Sequence, residues 1–423
     1  MQRIELPDGV QRIIGRLESA GFEAYAVGGC VRDSLLGRTP GDWDITSSAR
    51  PEELKRLFKR TVDTGIQHGT VTVLIGGGEG GKRAQAFEVT SYRVDGEYKD
   101  GRHPESVRFT PSLSEDLSRR DFTINAMAYN EKSGIVDLFQ GMEDLERGEI
   151  RAVGEAELRF REDALRMLRA LRFSAQLRFR IAPGTLEAVR SLARGLSRVS
   201  KERIREELTK LLLSDSPEQM ELVFQTGLAP YVSEHFPEIA SPSLPELSGD
   251  MEREAFLRWG MLLRGREQLA KRILRELKMD RATIDRAGSI AALHGERIPE
   301  DAPGARRLLS RYGEELFFSW LSMEEALALH FPREREALLP GERRQGKIRR
   351  ARALGEEILK NGDCLSLSAL MINGEDLAEL GIPRGPEYSA VLRALLSEVL
   401  EDPKRNRREY LRKRVKEIRG LAH

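Results

Sequence analysis

The stretch Val27-Gly28-Gly29-Cys30-Val31-Arg32-Asp33, followed by Gly41-Asp42-Trp43-Asp44-Ile45, decides how the N-terminal region is read. A β-rich run, Ala24–Val27, ends in two glycines and passes into a helix predicted over Val31–Leu36. Glycines at that junction let the backbone approach a triphosphate, and the free N–H groups of a helix start favour anions. Arg32 falls in the first turn, within reach of phosphate oxygens. A glycine pair alone is an ordinary turn. Asp42 and Asp44 change the reading, because residues i and i+2 of a strand point to one face. Two like charges side by side are costly unless a cation lies between them. A small all-oxygen set suits Mg²⁺, which keeps waters and shares substrate phosphates. Two-metal chemistry at such a site lowers the pKa of an attacking hydroxyl and steadies the leaving oxygen. A third carboxylate is wanted. Glu88, in Phe87-Glu88-Val89-Thr90, is the best-placed candidate on a neighbouring strand.

Outward from this stretch, further β-rich runs lie at Trp43–Thr46, Val71–Ile75 and Phe87–Tyr92, separated by helical or turn-rich segments. The glycine-rich residues 76–81 read as a hairpin loop rather than a phosphate cradle, because no helix follows them. Beyond about Glu155, strand-like runs vanish. Segments rich in Leu, Arg and Glu with helical periodicity continue to the end. Breaks fall near Pro183-Gly184, Pro230, Pro237–Pro245, Pro299–Pro303 and Pro340-Gly341. The expected fold class is therefore α+β, a small mixed-sheet head followed by an elongated helical part. The expected domains are a head at 1–153, a neck at 154–235, a body at 236–340 and a tail at 341–423.

Two further clusters extend the site. In Arg119-Arg120-Asp121-Phe122-Thr123-Ile124-Asn125-Ala126-Met127, basic side chains at an expected helix start are suited to neutralising a triphosphate. Read in isolation, they are a surface salt-bridge cluster. In Arg161-Glu162-Asp163-Ala164-Leu165-Arg166-Met167-Leu168-Arg169-Ala170-Leu171-Arg172-Phe173, the leucines form a buried stripe. Asp163, Arg166, Arg169 and Arg172 step by three, so consecutive members are neighbours on a helix surface. An acid beside an arginine offers an acceptor and several donors. Cytosine and adenine both present an exocyclic amino donor beside a ring-nitrogen acceptor on the edge that proteins read in unpaired bases. Uracil and guanine place a carbonyl oxygen there. Asp163 with Arg166 is thus suited to accept CTP and ATP and to reject UTP and GTP. The plain alternative is a charged helix face with i,i+3 ion pairs.

Bulk composition sets the limits. The 423 residues, long enough for about three domains, are 40% hydrophobic and 32% charged, with a net charge of only +1. No run approaches the roughly 18 to 20 apolar residues of a membrane span, and the start Met-Gln-Arg-Ile-Glu lacks the apolar core of a secretory signal. Two distant cysteines, Cys30 and Cys364, argue against a disulfide framework or a zinc site. The cytoplasm is the expected location. The charge is unevenly spread: from Pro403 onward nine Lys/Arg face two Glu, a surplus of seven. A second cluster comprises Arg343, Arg344, Lys347, Arg349, Arg350 and Arg352. Such patches suit a phosphate backbone, or simply a solvated helix face.

In their order and spacing, Gly-Gly-x-Val-Arg-Asp, the nearby Asp-x-Asp, Arg-Arg-Asp-x-x-x-Asn-Ala and Glu-Asp-x-x-Arg resemble one family. It is the class II CCA-adding enzymes and bacterial poly(A) polymerases, within the polymerase-β-like nucleotidyltransferases. The resemblance implies template-independent addition of CCA to tRNA 3′ ends from CTP and ATP. It implies metal binding by Asp42 and Asp44, for which Mg²⁺ is the expected ion, while Glu88 remains the candidate for a further catalytic carboxylate from its place on the neighbouring strand. It implies nucleotide contacts from Gly29, Arg32, Arg120, Asp163, Arg166, Arg169 and Arg172, beside which Gly28 and Asn125 are further nucleotide-binding candidates. Asp137-Leu138-Phe139-Gln140-Gly141 through Asp144-Leu145 looks like the family's head-to-neck coupling motif. The segment from Arg93-Val94-Asp95 to His103-Pro104 is similar to a flexible loop used to switch from C to A addition. Ile372-Asn373-Gly374-Glu375-Asp376-Leu377, with Leu380-Gly381-Ile382 and Gly385-Pro386, looks like a tRNA-gripping tail. An A-adding enzyme or a poly(A) polymerase is the alternative within the family. The six histidines offer no His-Asp pair of the phosphohydrolase kind, so a second, hydrolytic activity is not expected. No membrane or protein partner is implied.

Overall fold

The computed structural model describes residues 3–65, 69–76, 84–96, 107–239, 252–330 and 341–418. They fall into two compact units, Met1–Pro242 with Glu276–Met279, and Ser243–Arg275 with Asp280–His423.

The first unit begins with helix α1 (Asp8–Ser19) and strand β1 (Ala24–Val27), then α2 (Gly29–Leu35), β2 (Asp44–Ser47) and α3 (Pro51–Leu57). Strands β3 (Thr61–Gly65), β4 (Thr70–Ile75) and β5 (Gln85–Ser91) follow, then the short pair β6 (Arg93–Asp95) and β7 (Val107–Phe109). Helix α4 (Leu113–Ser118), a 3₁₀ turn at Thr123–Asn125, β8 (Met127–Asn130), β9 (Gly134–Asp137) and α5 (Gly141–Arg147) complete the α/β part. Seven strands form one mixed sheet in the order β3-β4-β5-β2-β1-β8-β9. All neighbours are antiparallel except β2 and β5, which run parallel.

Strand alternation gives this sheet two unlike faces. Ala24, Ala26, Ile45, Val71, Val73, Phe87 and Val89 turn to one side, where they pack with Val10, Ile13, Ile14 and Leu17 of α1, Val31 of α2 and Leu54 of α3. The intervening residues Asp44, Thr46, Thr70, Thr72, Glu88 and Thr90 occupy the opposite face. There the Thr70 and Thr90 hydroxyls meet at 3.0 Å, and Thr46 Oγ1 donates to Asp116 Oδ2 of α4 at 3.1 Å. The sheet thus carries its carboxylates away from the apolar core.

The rest of this unit is helical: α6 (Ala156–Glu162), α7 (Leu165–Leu177), α8 (Pro183–Leu192), a 3₁₀ segment at Ala193–Arg198, α9 (Lys201–Leu212), α10 (Glu221–Gln225) and α11 (Ala229–Val232). Two short strands, β10 (Glu149–Ile150) and β11 (Arg180–Ile181), pair in parallel and tie the sheet region to α7. Strand structure therefore does not end at Glu155 as the sequence pattern suggests. The second unit contains α12 (Ala255–Leu262), α13 (Glu267–Glu276, whose last residue groups with the first unit), α14 (Arg281–Leu293), α15 (Ala302–Tyr312), α16 (Glu314–His330) and α17 (Gly341–Asn361). It ends with α18 (Gly374–Glu379), α19 (Pro386–Glu401) and α20 (Arg408–Ile418). Leu377, Leu395, Val399, Leu411 and Val415 form the core shared by its last three helices. Prolines sit in the first turn of α8, α11, α15 and α19, where their missing N–H costs nothing. No helix among the described residues is long and apolar enough to cross a membrane.

Candidate active site

The parallel pairing of β2 and β5 sets Asp44 directly opposite Glu88. Both are exposed on the polar face of the sheet, and Asp42 is exposed as well. Asp42 lies two residues ahead of Asp44 and outside the strand, which begins at Asp44, so strand alternation alone does not fix its direction. Electrostatics links the three. The Asp44 carboxyl is raised above the usual carboxylate range by the surrounding protein and by Asp42, against the pull of Arg120. Glu88 is raised by partial burial, then by Asp44 and Asp42. Asp42 therefore makes ionisation of Asp44 and Glu88 harder, and Asp44 does the same to Glu88, a penalty that a cation removes. Their oxygens do not all fall within 4.8 Å of one another. The donor set still fits a hard divalent cation: three carboxylates open to solvent, with room for water and phosphate oxygens.

Gly28 precedes α2 with φ +81°, a conformation that L side chains rarely adopt, and a Cβ there would lie 3.2 Å from Arg120 Nη1. The glycine thus lets the Arg120 guanidinium cross over the strand end. Arg120 reaches Asp116 at 3.4 Å, while its buried Nε has no hydrogen-bond partner among the described residues. Contrary to expectation, Arg119 and Arg120 follow a helix rather than start one. They cap the end of α4, where the negative pole of the helix favours cations. Asn125 lies in the 3₁₀ turn, and its Oδ1 accepts from Arg32 Nη1 at 2.6 Å. Arg32 also pairs with Asp33 at 2.8 Å and is buried.

Asp116 and Asp121, two acids that the sequence reading gave no role of their own, hold this cluster. Asp116 is fully buried, and Arg119 and Arg120 keep its carboxyl below the usual range although burial alone would raise it. Asp121 is likewise buried, yet Arg169 and Arg166 hold it down to about 2. It accepts from Arg169 Nε at 2.8 Å and from Asn125 Nδ2 at 3.2 Å. Phe173 anchors the same cluster: the guanidinium carbons of Arg32, Arg169 and Arg172 lie 5.1, 5.3 and 3.9 Å from its ring centroid. Arg172 in turn donates to the buried Glu207 of α9 at 2.5 Å.

The run of residues stepping by three is interrupted. Asp163 has extended backbone between α6 and α7, so it does not share a helix surface with Arg166. Its partner is Arg203 of α9, whose Nη2 donates to Oδ2 at 2.7 Å. Arg166 pairs with Glu162 at 2.7 Å and donates to the Arg119 carbonyl at 2.8 Å. The two residues are near in sequence, but each already has its own counter-charge. Arg166, Arg169 and Arg172 do follow one another along α7.

Asp137 accepts from the backbone N–H groups of Phe139, Gly141 and Met142 at the start of α5. A Cβ on Gly141 would lie 2.4 Å from the Thr123 carbonyl oxygen, so only glycine allows this packing. Thr123 Oγ1 donates to buried Asp144 at 2.6 Å. In the second unit, Asn373 caps α18 by accepting from Glu375 N and Asp376 N. Residues 97–104 of the expected switching loop, 77–81 of the glycine-rich stretch and Arg419 lie outside the described residues.

Residues 24–151 match the family model described as the poly A polymerase head domain, and 178–241 match a probable RNA and SrmB-binding site of polymerase A. A CCA-adding enzyme of Geobacillus thermodenitrificans is 38% identical over 410 residues, 94% of this chain and 93% of that one. The chain belongs to the class II CCA-adding enzyme family. Its CCA-adding enzyme relative in Leuconostoc mesenteroides is 49% identical over 254 residues, 60% of this chain and 62% of that one. The crystal structure of the Bacillus stearothermophilus CCA-adding enzyme in complex with CTP has a TM-score of 0.75 and 33% identity, covering 97% of this chain and 98% of that one. Membership makes the chain a nucleotidyltransferase, of a kind that generally uses divalent metal. The α+β class read from the sequence agrees with these structures.

Proposed function

We propose that the chain adds C, C and A in turn to the 3′ end of tRNA from CTP and ATP, with Asp42, Asp44 and Glu88 as its catalytic carboxylates. The observation that carries the residue assignment is the Asp44–Glu88 register on parallel strands, with Asp42 adding to the charge on both. The relatives named as CCA-adding enzymes support the reaction. In this reading Asp42 and Asp44 hold Mg²⁺, which supplies Lewis-acid activation of the RNA 3′-hydroxyl and charge neutralisation at the triphosphate.

The chain's own groups do the rest. The guanidiniums of Arg120 and Arg32, which lie against Gly28 and Gly29, offset phosphate charge beside that backbone. Asn125 and Asp121 hold Arg32 and Arg169 in place. Asp163 retains acceptor capacity, because Oδ2 takes only one Arg203 donor. That oxygen is the proposed partner of the exocyclic amino group shared by cytosine and adenine. Arg166 offers its remaining donor hydrogens to the ring nitrogen. A carbonyl oxygen in place of the amino group would meet a carboxylate, which disfavours uracil and guanine.

The reading includes a head at 1–153, a neck at 154–235, a body at 236–340 and a tRNA-binding tail at 341–423. It places the enzyme in the cytoplasm, where its two free, buried cysteines would stay reduced. The test supplies tRNAs lacking CCA, ending in C, or ending in CC, each with CTP, ATP or both. The expected outcome is C added to the first two, A added only after CC, and a stop at CCA. Addition of A alone, or of A without a stop, would replace this reading with an A-adding enzyme or a poly(A) polymerase.

A further inference from the structure

A cavity of about 570 Å³ lies outside the proposed active site, with Phe160, Arg161, Ser191, Arg194, Ser197 and Arg198 in its wall. Its three arginines are exposed. Arg161 pairs with Glu157 at 2.6 Å, whereas the Arg194 and Arg198 side chains have no hydrogen bond or ion pair with any described residue. Gathering unpaired cations around one concavity costs free energy, which an anion returns. The serines do not supply the missing counter-charge. Ser191 and Ser197 donate inward to the carbonyls of Ala188 and Arg194, so the donors that face outward are guanidinium groups.

The lining also narrows the occupant. Phe160 is 1% exposed and offers no ring face on which a base can stack, which favours a backbone phosphate over a nucleobase. Exposed arginines around an open concavity suit a polymer whose phosphates pass over it, whereas a small anion is held by buried, fixed donors. The location fits RNA as well. Gly195 lies between the two free arginines, and a Cβ on it would be 3.5 Å from Ala164 Cβ and 3.8 Å from Met167 Cε. The cavity wall therefore packs directly behind the residue that follows Asp163. Both walls run on, from Arg161 to Asp163 and from Arg198 to Arg203, into the ion pair beside the proposed base-reading group. Residues Ser191 to Arg198 also fall within the range matched to a probable RNA-binding site.

We propose that this cavity is a phosphodiester-binding site that holds the backbone of the RNA substrate beside the Asp163–Arg203 pair, with Arg194 and Arg198 as its principal cations. The proposal rests on the reading of the chain as an enzyme of tRNA 3′ ends. The experiment measures binding of tRNA lacking CCA to the full-length protein, to the Arg194→Ala/Arg198→Ala variant and to the Arg194→Lys/Arg198→Lys variant, across a range of KCl concentrations. Kinetics with tRNA and CTP are measured in parallel. For the alanine variant, the slope of log affinity against log salt should shrink by about 1.4–1.8, and affinity near 0.15 M salt should fall roughly ten- to thirtyfold. KM for tRNA should rise with it, while kcat at saturating tRNA and KM for CTP stay unchanged. The lysine variant should keep the wild-type slope, and unchanged circular dichroism should show that all three proteins are folded. An unchanged slope in the alanine variant overturns the proposal. A raised KM for CTP with tRNA binding intact also overturns it, since the cavity would then serve a free nucleotide. Wild-type protein that binds tRNA but adds no nucleotide would instead refute the proposed function, leaving the salt slopes to judge the cavity.

Discussion

Around Phe173, the guanidiniums of Arg32, Arg169 and Arg172 gather on one ring and are tied to Asn125, Asp121 and Glu207. In the C-terminal segment, Arg408 and Arg412 reach out to Asp376, and Arg414 reaches to Glu398. The first group is largely buried and locked by several partners each, so its geometry is set before any substrate arrives. The second is more open: Arg408 is exposed and Arg412 and Arg414 are half-buried, so water screens their charges even though Asp376 itself is buried. A sequence count treats both as positive charge, yet they differ in what they offer a phosphate. The cluster at Phe173 offers fixed direction. The tail offers a field, part of which Asp376, Glu379 and Glu398 already cancel from outside the basic segment.

The contrast is sharpest in stability. Glu207→Ala strands Arg172 in a buried site, and urea unfolding should show a loss of about 3–5 kcal/mol. A loss no larger than that of a surface ion pair would show that the cluster relaxes without cost. Next comes pH. Asp121 has its folded pKa depressed to about 2 from an unfolded value near 3.8, so its contribution is present above pH 3.8. That contribution, about 2 kcal/mol, should be lost as pH falls from about 4 towards 2. Asp121→Asn should flatten this part of the stability profile, and an unaltered profile would contradict the assignment.

Smaller effects belong to the tail. Lys404, Arg407 and Lys416 make no side-chain ion pair with a described residue, so each is available for phosphate. Changing any one to Ala should reduce the salt slope of tRNA binding by up to about 0.9 without altering stability. These substitutions test the tail better than truncation after Arg393, which would remove Leu395, Val399, Leu411 and Val415 from its core. Arg414→Ala, which breaks half-buried pairs with Glu398 and Glu417, should shift the urea midpoint less than Glu207→Ala does in the same assay.

How far the sequence spoke follows from the range of the forces involved. Strands β1, β2, β4 and β5 were legible because β-rich runs bounded by turn residues are a local signal. Strand β8 was not, because Met127-Ala128-Tyr129-Asn130 is buried on both faces and shows no alternation. The same blind spot made Arg119 and Arg120 look like a helix start. Asp163 was expected on the helix surface, but α6 stops just before it, and its partner Arg203 lies 40 residues away with no local cue. Glu207 and Phe173 have no readable role in the sequence for a similar reason: an acid and an aromatic on helices read as surface and core until the fold brings them to the arginines. Asp116 was the one reachable omission, since it stands three and four residues before Arg119 and Arg120.

The account stands on the carboxylates of the β2–β5 pair, and Asp44 is the one to test. CMP incorporation into tRNA lacking CCA should be followed for the wild-type and Asp44→Asn proteins over a Mg²⁺ titration, with tRNA affinity measured alongside. Incorporation should vanish in the variant at every Mg²⁺ concentration while tRNA affinity stays within about twofold, since a carboxylate away from the RNA-binding cations contributes no phosphate contact. An Asp44→Asn protein that still extends tRNA at the wild-type rate would contradict the account.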